Sequence, residues 1–253
     1  MIRYAAHPTT KGEAFPMTIC IILLILGAIT LFWYILEKLR AYTLKAVFLK
    51  TAVSVLFIAV GVCGWLASAG AGGLQSFGAW IILGLLFGLL GDIWLDLKYV
   101  YPAQDDPFTY AGFASFSIGH ILYITGMLLR YYPSGKPLAI ILPILLSILV
   151  SGGNILMEKP MKLHFGKMKP IVFGYGAILF STVLVSGSLA MLHGWHVTTL
   201  NLIFIGSILF ALSDLVLSGT YFGGKERPVD IILNYLTYYP AQFLIALSLL
   251  FLK

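Results

Sequence analysis

The sequence predicts an all-α, polytopic membrane protein that forms a single bundle of eight transmembrane helices. Of its 253 residues, 60% are hydrophobic and only 10% are charged, and the mean hydropathy is +0.96. A soluble domain has about 45–50% apolar and about 25% charged residues, and one core cannot bury this much apolar surface. The composition therefore excludes a disordered chain, a nucleic-acid-binding domain and a disulfide-stapled secreted module.

The elements follow from runs of about 20 mostly apolar residues, the length that crosses a bilayer. Eight segments qualify: 17–36, 44–67, 79–97, 109–131, 137–157, 169–192, 197–217 and 231–252. The runs are continuously apolar and do not alternate, which disfavours a β-barrel. Short breaks with turn residues separate them, among them Asp105-Asp106-Pro107. We predict an N-terminal extension at 1–16 and one transmembrane domain at 17–253.

The distribution of lysine and arginine predicts the orientation, because cytoplasmic loops carry an excess of these residues. One face receives 5 of them: Arg3, Lys11, Arg130, Lys136 and Lys253. The other face receives 11: Lys38, Arg40, Lys45, Lys50, Lys98, Lys159, Lys162, Lys167, Lys169, Lys225 and Arg227. We expect the second face to be cytoplasmic, in a bacterial cytoplasmic membrane or, in a eukaryote, the endoplasmic reticulum.

Two aspartates inside apolar runs are the strongest functional signal. An ionisable side chain at the bilayer centre costs at least about 2.5–3.5 kcal/mol and marks a functional site by default. Asp92 shares a helical stripe with Gly84, Gly88 and Asp96, which recur every four residues. Small residues let a neighbouring helix approach, so the stripe serves either an internal contact or a dimer. Asp214 is the second candidate, whereas Asp96 is expected at the rim or the helix end.

Other polar side chains fall at the same depth as the two aspartates and predict one cytoplasm-facing cavity. They are Lys50, His120, Tyr123, Asn154, Tyr175, Asn234, Tyr235, Tyr238, Tyr239 and Gln242. The sequence has none of the usual metal-ligand spacings, so we expect neither a metal nor another cofactor. Two carboxyl groups with a histidine and tyrosines suit general acid–base chemistry or proton-coupled transport.

Three stretches, in this order, resemble the YhhN-type lysoplasmalogenase family. The first is Gly91-Asp92-Ile-Trp-Leu95 with His120-Ile-Leu-Tyr123, and the second is Leu209-Phe-Ala-Leu-Ser-Asp214. The third is Tyr238-Tyr-Pro-Ala-Gln242. Lys50 matches the lysine of the family's Lys-Pro at the start of the second span, where this chain has Thr51 instead of proline.

The resemblance implies a hydrolase that cleaves the vinyl ether bond of lysoplasmalogens. The products are a fatty aldehyde and glycerophosphocholine or glycerophosphoethanolamine. Asp92 and Asp214 are then the catalytic pair, with their individual roles open. The expected substrate-binding residues are Lys50, His120, Tyr123, Tyr175, Tyr238, Tyr239 and Gln242. Lys50 is expected at the substrate phosphate.

Two other functions stay open at the level of the sequence. A proton-coupled transporter also uses buried aspartates, although transporters usually have helices broken at the midplane. A non-catalytic lysolipid-binding protein would use the same cavity without chemistry. The expected partners are a lysophospholipid substrate and membrane lipid, with no nucleic acid, and a homodimer stays open.

Overall fold

The computed structural model describes residues 11–68, 75–224 and 227–252, and this part of the chain is helical with no strand. Eight α-helices follow one another: α1 (Lys11–Arg40), α2 (Leu44–Ser68), α3 (Gln75–Val100), α4 (Asp105–Tyr131), α5 (Leu138–Leu156), α6 (Lys169–Leu192), α7 (Thr198–Gly223) and α8 (Pro228–Leu247). Each predicted span therefore forms a helix, and the predicted helical bundle is confirmed. Arg3, Lys225, Lys253 and residues 69–74 lie outside the described residues.

Within the described residues, seven helices are long and apolar enough to cross a membrane, namely α1 to α7. Helix α8 has the length of a span, but its Asn, Thr, Tyr and Gln side chains make it less apolar than the others. It packs against α1, α2, α3 and α7, so neighbouring helices cover these polar groups. The eighth crossing, the identity of the membrane and the orientation stay predictions.

Consecutive helices pair as hairpins, α1 with α2, α3 with α4, α5 with α6 and α7 with α8. Short connections make the two helices of each hairpin antiparallel. The ends of α1, α3, α5 and α7 therefore lie beside the starts of α2, α4, α6 and α8. We call this end of the bundle the site end, because Asp92, Asp96 and Asp214 all lie in the half of the bundle next to it.

The small residues of α3 allow α4 and α8 to approach closely. A Cβ atom on Gly84 would lie 2.3 Å from the Tyr123 ring of α4, and one on Gly88 would lie 2.7 Å from Gln242 Nε2 of α8. The stripe predicted from the sequence is therefore an internal contact. A homodimer stays a prediction, and it would have to use another surface.

Two helix starts differ from the sequence prediction. The turn predicted at Asp105-Asp106-Pro107 is the first turn of α4, because acidic side chains and proline are both favoured at the start of a helix. Helix α1 begins at Lys11, inside the segment predicted as an extension.

Candidate active site

Asp92, on the fifth turn of α3, lies in a strongly polar environment although only 1% of it is exposed. Ser54 Oγ of α2 donates a hydrogen bond to Asp92 Oδ2 at 2.6 Å, and Tyr238 OH of α8 donates to the same oxygen at 2.8 Å. Lys50 Nζ lies 3.4 Å from Asp92 Oδ1. The cation and two hydroxyl donors together stabilise an ionised carboxylate.

Asp96 extends this network toward α1. Lys38 Nζ lies 2.8 Å from Asp96 Oδ1, Lys50 Nζ lies 3.4 Å from the same oxygen, and Tyr34 OH donates to Oδ2 at 3.1 Å. Only 2% of Asp96 is exposed. The expected rim position of Asp96 is therefore wrong, because the last turns of α1 cover it with Lys38 and Tyr34.

Asp214, on α7, has a different environment. Tyr175 OH of α6 donates a hydrogen bond to Asp214 Oδ2. Ser213 Oγ lies 3.4 Å from Asp214 Oδ1 but also donates to the Phe210 carbonyl at 2.7 Å. Asn234 Nδ2 holds the adjacent backbone through the Ser213 carbonyl at 2.8 Å. No lysine, arginine or histidine within the described ranges lies within ion-pair distance of Asp214.

One cavity of about 310 Å³ joins the two carboxyl groups. Asp92, Asp214 and Lys50 line it together with Tyr238 and Tyr221. We call it the acid cavity. The structure therefore brings together five of the predicted site residues, because Tyr175 joins Asp92, Asp214, Lys50 and Tyr238 through its hydrogen bond to Asp214.

A second, larger space begins at Asp214 and is lined mainly by apolar side chains of α6, α7 and residues 161–165, with Ser151 and Asn154 of α5 among them. We call it the apolar pocket. Asp214, Leu217 and Tyr221 line both it and the acid cavity. The Asp214 carboxyl group therefore lies where the acid cavity and the apolar pocket meet.

Two of the predicted substrate-binding residues, Gln242 and Tyr123, do not line the acid cavity but lie behind Tyr238, which does. Gln242 Nε2 donates to Tyr238 OH at 3.0 Å, and Tyr123 OH donates to Gln242 Oε1 at 3.3 Å. This chain of bonds orients the hydroxyl that reaches Asp92. Tyr123 and Gln242 are therefore placed to orient Tyr238 and do not themselves bond to Asp92.

His120 and Tyr239 do not line the acid cavity. His120 Nδ1 lies 3.1 Å from Thr182 Oγ1, and its ring packs on Phe210 with centroids 4.7 Å apart. Tyr239 follows Tyr238 by one residue and so points about 100° away around the helix, where its ring packs against Tyr34, Tyr235 and Tyr238. Neither side chain forms a hydrogen bond with Asp92 or Asp214.

Sequence reasoning missed several residues around the two aspartates: Tyr34, Lys38, Ser54, Ser213 and Tyr221. Ser54 follows Lys50 by four residues and thus shares its helix face, a signal that was available. Lys38 and Tyr221 lie near helix ends, where such residues usually contact headgroups or the interface. Only the packing of α1 and α7 turns them inward.

These features define a class of protein: a helical, multi-pass membrane protein with two carboxyl groups on one buried cavity beside an apolar pocket. The model of the YhhN family matches residues 45–249, and the chain belongs to this family. The match begins after α1, so Tyr34 and Lys38 lie outside it. No curated protein and no solved structure matches the chain.

Proposed function

We propose that the protein is a lysoplasmalogenase, which hydrolyses the vinyl ether bond of a lysoplasmalogen to a fatty aldehyde and a glycerophospho-base. The observation that carries this proposal is the position of Asp214. It lines a polar cavity that also holds Asp92 and the apolar pocket, whose lining matches the apolar character of an alkenyl chain. Membership of the YhhN family is consistent with this activity.

The chemistry requires an acid and a carboxylate. A proton is added to the alkenyl carbon that is not bonded to oxygen, and the double-bond electrons form this C–H bond. The resulting oxocarbenium ion takes up water, and the hemiacetal collapses to aldehyde and alcohol. Glycosidases use a pair of carboxyl groups against the same kind of cation.

The two environments favour different roles. Asp92 accepts hydrogen bonds from Ser54 and Tyr238 and faces the Lys50 ammonium, which suits a carboxylate that stabilises the cation and activates water. Asp214 has Tyr175 as its close partner and apolar neighbours. A buried carboxyl group without a cation avoids the cost of carrying charge by keeping its proton. We therefore assign Asp214 as the acid and Asp92 as the carboxylate.

Tyr175, Tyr238 and Gln242 orient the two carboxyl groups in this proposal, with Tyr123 supporting Gln242. The His120 ring packs against Tyr175, and the Tyr239 ring packs against Tyr238. Lys50 is assigned to Asp92, because its ammonium already faces two carboxylates. This replaces the phosphate contact expected from the sequence.

The proposal is tested by measuring aldehyde release from a vinyl ether lysolipid by purified protein in detergent. The control substrate carries a saturated ether of the same chain length and headgroup. We expect aldehyde only from the vinyl ether, because the saturated ether has no double bond to protonate. Folded protein that binds the vinyl ether lipid but releases no aldehyde would support the non-catalytic alternative.

Transport is less well supported than hydrolysis. The described helices that carry the site, α2, α3, α7 and α8, each run without interruption, whereas transporters usually bind at broken helices. Proton flux into liposomes that depends on Asp92 and Asp214 but produces no aldehyde would favour transport.

A further inference from the structure

The half of the bundle opposite the site end holds both cysteines of the chain, one on each helix of the α1–α2 hairpin. Cys20 lies 20 residues before the end of α1, and Cys63 lies 19 residues after the start of α2. Residues at equal distances from the turn of an antiparallel hairpin lie at the same height, since both helices rise by about 1.5 Å per residue. The register of the hairpin therefore places the two cysteines beside each other.

Contacts of the side chains agree with this register. The thiols of Cys20 and Cys63 lie within hydrogen-bonding contact of each other. Cys20 Sγ also lies 4.0 Å from the carbonyl oxygen of Val60, which precedes Cys63 by about one turn of α2. Both cysteines carry free thiols, so the hairpin brings two reduced sulfur atoms together without a bond between them.

The two thiols differ in accessibility. Cys20 is only 2% exposed, whereas Cys63 is half-buried and lies about 8 Å along the helix axis from the end of α2 at Ser68. An external reagent therefore reaches Cys63 first, and Cys20 only through Cys63. The distribution of lysine and arginine predicts that this end faces away from the cytoplasm, the side on which disulfide bonds persist.

We propose that Cys20 and Cys63 form a disulfide bond that ties α1 to α2 when the protein meets an external disulfide. The Cys63 thiolate attacks one sulfur atom of the external disulfide and releases the other as a thiol. The Cys20 thiolate then attacks the Cys63 sulfur and releases the second thiol. The two cysteines lose two electrons and two protons, and the external disulfide gains them. This proposal does not depend on the proposed function.

The bond holds a helix that lies before residue 45, where the match to the family model begins. Helix α1 carries Tyr34 and Lys38, which contact Asp96 at the site end. A bond at the other end of α1 limits how far this helix can separate from α2. It also closes a loop of 44 residues between Cys20 and Cys63, and closing a loop of this length restricts the unfolded chain. We therefore expect the oxidised protein to resist heat better than the reduced protein.

The test treats the full chain in detergent first with a reductant and then with oxidised glutathione, and it measures the intact mass of the protein. The wild type should lose the mass of two hydrogen atoms and carry no glutathione, because the second step expels it. Cys20→Ser should keep one glutathione on Cys63, since no second thiol can expel it. Cys63→Ser should keep a free Cys20 thiol, because that sulfur is buried.

A second oxidant covers the case in which glutathione does not reach the hairpin. Diamide, an uncharged azo compound that takes up the same two electrons and two protons, should also remove two hydrogen atoms from the wild type. Thermal unfolding in detergent then compares oxidised with reduced wild type, and we expect the midpoint to rise by several degrees. Cys63→Ser, oxidised and reduced in the same way, is the matched control and should show no such rise.

Two free thiols after both treatments would overturn the proposal, as would two bound glutathiones or a disulfide-linked dimer, because each result means that the two sulfur atoms do not reach each other. A lower unfolding midpoint after oxidation would also contradict it, since the bond would then distort the hairpin. The proposed function is tested separately by aldehyde release from the reduced protein, whatever the result of oxidation.

Discussion

Asp92 lies among Lys50, Ser54 and Tyr238, whereas Asp214 lies among aromatic and aliphatic side chains with Tyr175 as its close partner. Both line one cavity, yet side chains of α2 and α8 supply the first with a cation and two hydroxyl donors, and no ion pair in the described ranges neutralises the second. The comparison teaches that burial alone does not set the role of a carboxyl group. Its partners decide whether it keeps its charge or its proton.

The largest expected effect is loss of turnover in either aspartate variant. Asp92→Asn and Asp214→Asn should each lower kcat about 10²–10⁴-fold, since each removes one member of an acid–base pair. Aldehyde release measures this, and Asp230→Asn serves as the control that keeps activity. Turnover close to wild type in either variant would remove that aspartate from the pair.

The same two variants should differ in stability, which tests the comparison directly. Asp92→Asn leaves two buried lysines, Lys38 and Lys50, with one carboxylate, and breaking a buried pair costs about 3–5 kcal/mol. Asp214→Asn removes no ion pair and should change the free energy of unfolding by less than about 1 kcal/mol. Thermal unfolding in detergent measures both, and equal losses would contradict the assigned environments.

Helix α1 should affect stability through the ion pair between its Lys38 and Asp96, which shares Lys50 with Asp92. Asp96→Asn alone should destabilise the fold by about 3 kcal/mol, because Lys38 loses its carboxylate partner and Lys50 keeps only Asp92. Adding Lys38→Met restores charge balance, so the double variant should be more stable than Asp96→Asn alone. Additive losses in this double-mutant cycle would show that Lys38 and Asp96 are not coupled.

The sequence was sufficient for the helical bundle, because apolar length is a local signal, and the two aspartates that it singled out by their isolated charge line one cavity. It could not place Asp96, since the burial of that residue depends on Lys38 and Tyr34, which are distant in the chain and belong to α1. The same reason explains Tyr239, which shares a motif with Tyr238 but points to a different side of α8. Contacts between helices decide which side chains are buried and which line the cavity, and the sequence of one segment does not show those contacts.

Hydroxyl donors should have a smaller effect than the carboxyl groups. Tyr238→Phe removes a hydrogen bond to the ionised Asp92, worth about 1.5–3 kcal/mol, and should lower kcat about 10- to 100-fold. Tyr175→Phe removes a hydrogen bond to the protonated Asp214, worth about 0.5–1.5 kcal/mol, and should lower kcat about 2- to 10-fold. Tyr101→Phe, which changes a tyrosine that is 48% exposed, is the control. An unchanged kcat in Tyr175→Phe would mean that Asp214 does not need this partner.

Two glycines that differ in what they face should change stability in opposite directions. Gly84→Ala places a methyl group 2.3 Å from the Tyr123 ring and should cost about 1–3 kcal/mol. Gly153→Ala, on α5, meets no atom within 4 Å and should stabilise the helix by up to about 1 kcal/mol. Thermal unfolding should rank the two variants on opposite sides of wild type, and a neutral Gly84→Ala would contradict the close contact between α3 and α4.

The most direct test of carboxyl-catalysed vinyl ether hydrolysis is isotope incorporation during turnover. In D₂O, the aldehyde, trapped by reduction as it forms, should carry one deuterium on the carbon next to the former carbonyl, because the acid protonates that carbon. In H₂¹⁸O, the glycerophospho product should contain no label, because water adds on the alkenyl side. An unlabelled aldehyde, or ¹⁸O in the glycerol, would contradict the mechanism.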